Sequence, residues 1–374
     1  MAQENVKKNA AAKEQAAEQQ QKPQSHQALS QSAPVDMIAM AREATLRDQA
    51  GMYAGTTKVV APAKVNLYLG VGPQRPDGYH EVTTVLQSLM LHDVLYVRVK
   101  DLDPVVVEYE RGLAREKGKE YRTDVPQVRV TCVGCEGVEA PQLPSDQNLA
   151  YAAVMALAEA TGNGANQAVD IRIEKHIPQQ AGLGGGSSDA AAALIAMADA
   201  WDMDPNDPVL YQVAAGLGAD VAFFLVGGCA QLDGVGEALQ RKLPSRKSNV
   251  VLVKPEGGLS TADVYREFDS DPDLPTSQVQ EQLAAAQDGA SVPLFNGLQS
   301  TAVRLLPELA RVQEWAAEQE GVSDCLLCGS GSASFLLCES FEAACKVSAA
   351  AMAQGWWARS TSFSGLRAAV VPKR

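Results

Sequence analysis

The chain has 374 residues, 46% of them hydrophobic, and a formal net charge of -13. That length exceeds one ordinary hydrophobic core and predicts roughly two domains once a low-complexity tail is set aside. The acidic balance argues against sequence-independent nucleic-acid binding, which depends on a basic surface that releases phosphate counterions. No apolar run nears the ~18 residues that span a bilayer, and Met1 opens no signal-peptide pattern, so a soluble cytoplasmic protein with no membrane partner is expected.

Residues 1–55 are rich in Ala, Gln, Glu, Lys and Ser, with the run Gln19-Gln20-Gln21, and are expected to form a disordered tail. Within it, the spacing of Met37, Met40 and Ala41 predicts a short helix from Met37 to Leu46. Order is expected from Lys58. Val65, Leu67, Leu69 and Val71 alternate with Lys64, Asn66 and Tyr68 at the period of a strand, which puts Lys64 and Asn66 on one face. Gly72 to Tyr79, with two prolines and Asp77-Gly78, reads as a turn. Strand character returns from Val85 to Val99, predicting an opening hairpin or meander.

Ser145 or Asp146 is placed to cap a helix from Asn148 to Ala160 that Gly162 closes, and Val169, Ile171 and Ile173 mark a strand. That strand runs into a glycine-rich segment, followed by an alanine-rich helix from Ser187 to Trp201. Two short strands flank Asp233-Gly234 within Cys229 to Leu239, and another covers Asn249 to Val253. Helical patterns near Asp263, over Leu298 to Glu320 and over Phe341 to Met352 mix with apolar runs at Cys325, Phe335 and Ala368. The expected division is the tail over 1–55, an N-terminal domain over 56–235 and a C-terminal α+β domain over 236–374.

Seven cysteines without a secretion signal point to reduced thiols. Cys132/Cys135 and Cys325/Cys328 form two Cys-x-x-Cys pairs that together have the ligands of a four-thiolate zinc site. Their wide separation favours small buried apolar roles instead.

The glycine-rich segment reads Pro178-Gln179-Gln180-Ala181-Gly182-Leu183-Gly184-Gly185-Gly186-Ser187-Ser188-Asp189. Its glycines allow the backbone to wrap an anion, and the helix that follows adds the partial positive charge of its N-terminus. Ser187 stands where the dinucleotide pattern needs a small apolar residue or glycine, and no Lys precedes the Ser pair as a P-loop requires. The residues alone thus leave an anion cradle or a structural turn.

This segment resembles the phosphate loop of the GHMP kinase superfamily. Ala61-Pro62-Ala63-Lys64-Val65-Asn66-Leu67 and Cys328-Gly329-Ser330-Gly331-Ser332 resemble its first and third motifs, in the same order. Arg75-Pro76-Asp77-Gly78-Tyr79-His80-Glu81 and Leu217-Gly218-Ala219-Asp220-Val221 narrow the likeness to the branch that phosphorylates a cytidine-diphosphate-bearing alcohol in isoprenoid synthesis. The resemblance covers the chain from Lys58 onward. It implies a two-domain α+β GHMP-kinase fold with the active site in the cleft between the domains, and ATP as co-substrate with Mg2+.

The resemblance implies Asp220 as the catalytic base and Lys64 as its cationic partner. ATP would be held by Pro178, Gln179, Gln180, Ala181, Gly182, Leu183, Gly184, Gly185, Gly186, Ser187 and Ser188, with Asn148 and Lys175 around the adenosine. Tyr79 and His80 match the cytidine contacts, an aromatic ring beside an imidazole being suited to a planar base. Asn66, Thr261 and Tyr265 match further substrate positions. Two departures stand out: Cys328 replaces a hydroxyl residue, and Ala222 replaces a proline, which puts local loop rigidity in question. No metal ligand and no oligomeric state is assigned. Another superfamily kinase acting on a mevalonate-like acid, a sugar or homoserine, and a non-catalytic nucleotide-binding regulator, remain open.

Overall fold

The computed structural model describes residue 53, residues 55–118 and residues 120–372. The expected tail, apart from Tyr53 and Gly55, and the helix expected from Met37 to Leu46 lie outside the described residues.

In chain order the first elements are β1 (Thr57–Gln74), β2 (His80–Asp101), α1 (Pro104–Glu116), β3 (Gln127–Gly134), α2 (Leu149–Thr161), β4 (Gln167–Lys175), α3 (Gly185–Ala200), α4 (Pro208–Leu217), α5 (Ala219–Val226), β5 (Cys229–Asp233) and β6 (Ala238–Leu243). There follow β7 (Asn249–Lys254), α6 (Thr261–Phe268), α7 (Ser277–Ala285), β8 (Phe295–Asn296), α8 (Gln299–Leu305), α9 (Glu308–Ala317), β9 (Val322–Leu327), β10 (Ser334–Cys338), α10 (Phe341–Ala353), β11 (Trp357–Ser362) and β12 (Ala369–Val370).

The first sheet runs β12-β1-β2-β4-β3, with the β5–β6 hairpin on β2 and β8 parallel to β1. The second is antiparallel, in the order β11-β7-β10-β9. Residue 235, the expected domain boundary, lies in the turn of the β5–β6 hairpin, so both of its strands stay with the first sheet.

One core packs Val59, Leu95 and Ile171 of the first sheet against α2, α3 and α5. Every residue of α3 from Ser188 to Ala198 is buried, and its alanines let the sheet and neighbouring helices approach from all sides. A second core joins Ala63, Val65 and Leu67 of β1 to Leu252, Phe335 and Leu337 of the second sheet. Strand β1 is therefore covered on both faces, and its apolar alternation does not separate inside from outside: Leu67 and Tyr68 are both buried. Its pairing with β2 shifts register between Pro62 and Lys64 and again between Asn66 and Tyr68, irregularities of the kind that re-aim side chains.

The helix expected from Asn148 starts one residue later. Asn148 itself is the cap, its side-chain oxygen accepting from Ala150 N at 2.9 Å, while Ser145 bonds both backbone groups of Val130. Gly162 closes it in the left-handed region at φ 72°. Ala222 lies within α5, so the segment is helical rather than a loop, and alanine supplies the helix propensity that makes a proline unnecessary for order there. The four paired cysteines lie on strands of different sheets or just beyond their ends, all as free thiols. Among the described residues no cluster of three or more metal-ligating side chains occurs, and no helix is long and apolar enough to cross a membrane.

Candidate active site

A cavity of about 1110 Å³ opens where β1, the segment leading into α3, α5, α6 and the turn between β9 and β10 converge. The two glycine-rich turns meet at its wall. Ser332 N donates to Gln180 O at 2.9 Å, Ala333 N to Ala181 O at 3.1 Å, and Lys64 N to Leu183 O at 3.0 Å. Gly182 has φ +73°, and a Cβ there would stand 1.7 Å from the Cys328 carbonyl oxygen. Contact between the turns thus runs mainly through backbone, with Ser332 Oγ also donating to Gln180 O at 3.3 Å, and Cys328 is fully buried with its carbonyl against Gly182.

Gly184 caps α3 without a side chain, so the helix begins with its first N–H groups uncapped. At Gly186 a Cβ would meet nothing within 4 Å, leaving open space beside the helix start. Uncapped donors, the positive end of a helix and room beside them are what a polyphosphate needs.

Beside these turns Lys64 Nζ lies 3.4 Å from Asp220 Oδ2, with the lysine side chain 6% and the aspartate 34% exposed. Lys64 also donates to Asn66 Oδ1 at 2.9 Å, Asn66 Nδ2 to Thr84 Oγ1 at 2.9 Å, and Thr84 Oγ1 to Tyr68 O at 2.8 Å. This chain of hydrogen bonds fixes the ammonium, while Asp220, in the first turn of α5, keeps an edge open to the cavity.

The opposite end is built on the β1–β2 turn and α6. The His80 ring is buried, with Nδ1 2.9 Å from Gly72 O and Nε2 3.4 Å from Asp269 Oδ1. Tyr265 lies against it, ring centroids 5.3 Å apart, and Phe268 meets its edge at 5.9 Å. Burial, reinforced by the negative charge of Asp220, pushes the Tyr265 phenol up to about 12. Tyr79 is 63% exposed at the rim. Thr261 Oγ1 is 3.0 Å from Ser330 Oγ, joining α6 to the third motif.

The structure therefore brings Lys64, Asn66, Tyr79, His80, Lys175, Asp220, Thr261, Tyr265 and the segment Pro178 to Ser187 into the wall of one cavity. Two expected nucleotide residues lie off that wall. Asn148 is spent on capping α2, and Ser188 is fully buried within α3. Lys175 reaches the wall, but its ammonium is held by Asp93 and by Asp189 at 2.6 Å.

A family model described as GHMP kinases N terminal domain matches residues 148–228, and one described as GHMP kinases C terminal matches residues 279–355. The chain is 38% identical over 302 residues to a 4-diphosphocytidyl-2-C-methyl-D-erythritol kinase of Desulfitobacterium hafniense, covering 80% of this chain and 92% of that protein. It is 39% identical over 300 residues to the kinase of the same name from Nocardia farcinica, covering 78% and 88%. The chain belongs to the 4-diphosphocytidyl-2-C-methyl-D-erythritol kinase family of GHMP kinases. A crystal structure of a 4-(cytidine 5'-diphospho)-2C-methyl-D-erythritol kinase superposes with TM-score 0.61 at 34% identity, over 82% of this chain and 99% of that one. A homoserine kinase from Cytophaga hutchinsonii, with TM-score 0.59 at 19% identity, covering 85% and 98%, shares the fold.

Sequence reasoning about this GHMP kinase missed Thr84, Asp93 and Asp269 as parts of the site, and gave Asp189, the last residue of the phosphate-binding segment, no role of its own. Asp189 closes the glycine-rich segment and was visible there as an acid at a helix start. Asp93 and Thr84 sit in a strand with no local mark, and Asp269 follows α6, where nothing but its distance from His80 singles it out.

Proposed function

We propose that this GHMP kinase transfers the γ-phosphate of ATP to the 2-hydroxyl of 4-diphosphocytidyl-2-C-methyl-D-erythritol, giving ADP and the 2-phosphate in the non-mevalonate route to isopentenyl diphosphate. The observation that carries this reading is the Lys64–Asp220 pair, set in one cavity with the phosphate-binding segment and the His80–Tyr265 recess. Asp220 accepts the proton of the attacking hydroxyl. Lys64 offsets the charge that develops on that oxygen and on the transferring group, and the segment from Gln180 to Ser187 orients the phosphates in line.

His80 and Tyr265 supply an imidazole and a ring face for the cytosine, with Tyr79 closing over it from the rim. Thr261 and Asn66 line the path between the base and the reacting hydroxyl. The Tyr265 phenol, pushed up to about 12, stays neutral near pH 7 and presents a ring rather than a charge.

Magnesium fits this site as an ion that arrives with the nucleotide. The described residues hold no cage of three ligands, yet magnesium on ATP takes most of its oxygens from phosphate and water. The Ser187 hydroxyl, on the cavity wall at the start of α3, is the group placed to reach it. When bound, the ion neutralises charge on the phosphate oxygens.

The test is ADP production from ATP with a panel of acceptors: the cytidyl alcohol, mevalonate, homoserine and galactose. Turnover is expected with the cytidyl alcohol. Activity confined to another acceptor would replace the substrate assignment, and nucleotide binding without turnover on any acceptor would favour a regulator.

A further inference from the structure

We propose that Lys175 is a positioning residue that ties the two ends of the phosphate-binding segment together through Asp93 and Asp189, and so sets the affinity for ATP. The inference rests on the reading of that segment as the nucleotide site.

The segment leaves β4 at Lys175 and becomes helix α3 at Gly185. At its first end Asp93, fully buried on β2, accepts through Oδ1 from the backbone N–H groups of His176 and, at 2.9 Å, Ile177. At its second end Asp189, in α3, puts Oδ2 2.6 Å from Lys175 Nζ, and its other oxygen is buried without a hydrogen-bond partner. The same ammonium donates to Asp93 Oδ2. Both pairs are at most 5% exposed. A Cβ built on Gly185 would lie 3.5 Å from Lys175 Nζ, so the ammonium sits directly behind the helix start. The middle of the segment is tied by backbone bonds to Lys64, Ser332 and Ala333, whereas its two ends are joined by the hydrogen bonds of this side chain, with Ile177 packed against Gly185 beside them.

The arrangement also accounts for the lysine's charge. Burial works against the ammonium, but Asp189 and Asp93 outweigh it and raise the lysine above its ordinary value. Burial raises the Asp189 carboxyl, against the pull of Lys175. With two of its three donors committed to buried carboxylates, the lysine acts on a bound triphosphate chiefly through the backbone it holds.

Two effects of Asp189 on ATP have opposite signs, and this gives the test. As a negative charge behind the phosphate site it would weaken binding by repulsion. As the anchor of the second end it would strengthen binding. Affinity for a non-hydrolysable ATP analogue and steady-state kinetics are to be measured for wild type, Asp189→Ala and Asp189→Asn, alongside thermal unfolding. The anchor predicts that Asp189→Ala weakens the analogue and raises the KM for ATP by about tenfold, with the KM for the acceptor alcohol held within roughly twofold. Asp189→Asn, whose oxygen still accepts from Lys175, is expected to restore most of the affinity. Analogue binding by Asp189→Ala equal to or tighter than wild type would overturn the proposal, as would a lower unfolding temperature with unchanged affinity of the folded protein. Where Asp189→Ala does not fold, Asp189→Ser is read by the same criteria. A wild-type protein that binds no ATP analogue would refute the nucleotide-site reading itself, whereas wild-type binding that Asp189→Ala leaves intact refutes only the anchor.

Discussion

Gly182 and Cys328 touch through backbone alone, since a Cβ on Gly182 would fall 1.7 Å from the Cys328 carbonyl oxygen. The contact joins the phosphate-binding segment to the turn after β9, so any side chain at residue 182 must push the two apart. The strain of φ +73° adds about 1–3 kcal/mol. Gly182→Ala is expected to lose that much stability or more by chemical denaturation and to raise the KM for ATP. Gly186→Ala is its counterpart: the position is helical and its Cβ meets open space. There stability should hold or rise by about 0.5–1 kcal/mol while the KM for ATP increases, because the methyl stands where phosphate oxygens belong. If Gly186→Ala left ATP binding unchanged, that space would not be the phosphate site.

Asp220 and Lys64 are predicted to fail as a unit. Asp220→Asn keeps the shape of the side chain and removes its basicity, and turnover should fall about 10²–10⁴-fold, the usual worth of a positioned proton acceptor. The KM for ATP should change little. Lys64→Met should cost a similar factor in kcat, and the double variant should be scarcely worse than either single one, as happens when two groups serve one step. Fully additive losses in kcat would show that the 3.4 Å contact does not couple them.

The local order of strand, glycine-rich segment and helix was legible because it is written in residues next to one another. The same holds for the opening hairpin and for Gly162 as a helix stop. Helices α1 and α4 escaped, although each begins with an Asp cap followed by Pro, at Asp103-Pro104 and Asp207-Pro208, a start signal readable in the chain. The helical pattern over Leu298 to Glu320 is realised as two helices, α8 and α9, divided at Leu306-Pro307, where proline disfavours a helical residue before it. Of the site, Lys64, Asp220 and His80 were reached through motif likeness, not through periodicity. Their meeting depends on pairings between segments far apart in sequence. That is also why Asp93 and Asp269 were not found: each gains meaning only from a partner on another element.

Tyr265 tests the base recess. Its ring lies 5.3 Å from that of His80, and a stacked base is worth about 1–3 kcal/mol by alanine substitution. Tyr265→Ala should raise the KM for the cytidyl substrate roughly five- to hundredfold and leave the KM for ATP unchanged. Tyr265→Phe keeps the ring and should behave as wild type. With the phenol pushed up to about 12, the tyrosine and phenylalanine forms should also give the same pH profile between pH 6 and 9, roughly the range in which the hydroxyl stays protonated. A profile that changed in Tyr265→Phe would mean the hydroxyl takes part in the chemistry.

Asn148 separates what a motif likeness implies from what the local chain requires. The likeness puts it beside adenosine, whereas its side-chain oxygen accepts from Ala150 N at 2.9 Å and its amide faces the Cys132 sulfur at 3.6 Å. A cap of this kind is worth about 1 kcal/mol, so Asn148→Ala should lower the unfolding temperature by about 1–2 °C in a protein of this size. Asn148→Asp preserves an accepting oxygen and should recover that loss. Neither change should move the KM for ATP beyond roughly twofold, because the Asn148 side chain is taken up by the cap and by Cys132 rather than directed into the cavity. A large rise in the KM for ATP at unchanged stability would reverse the assignment: the side chain would then have to leave its cap when nucleotide binds, and Asn148→Asp, carrying a charge toward the same ligand, would bind ATP more weakly still.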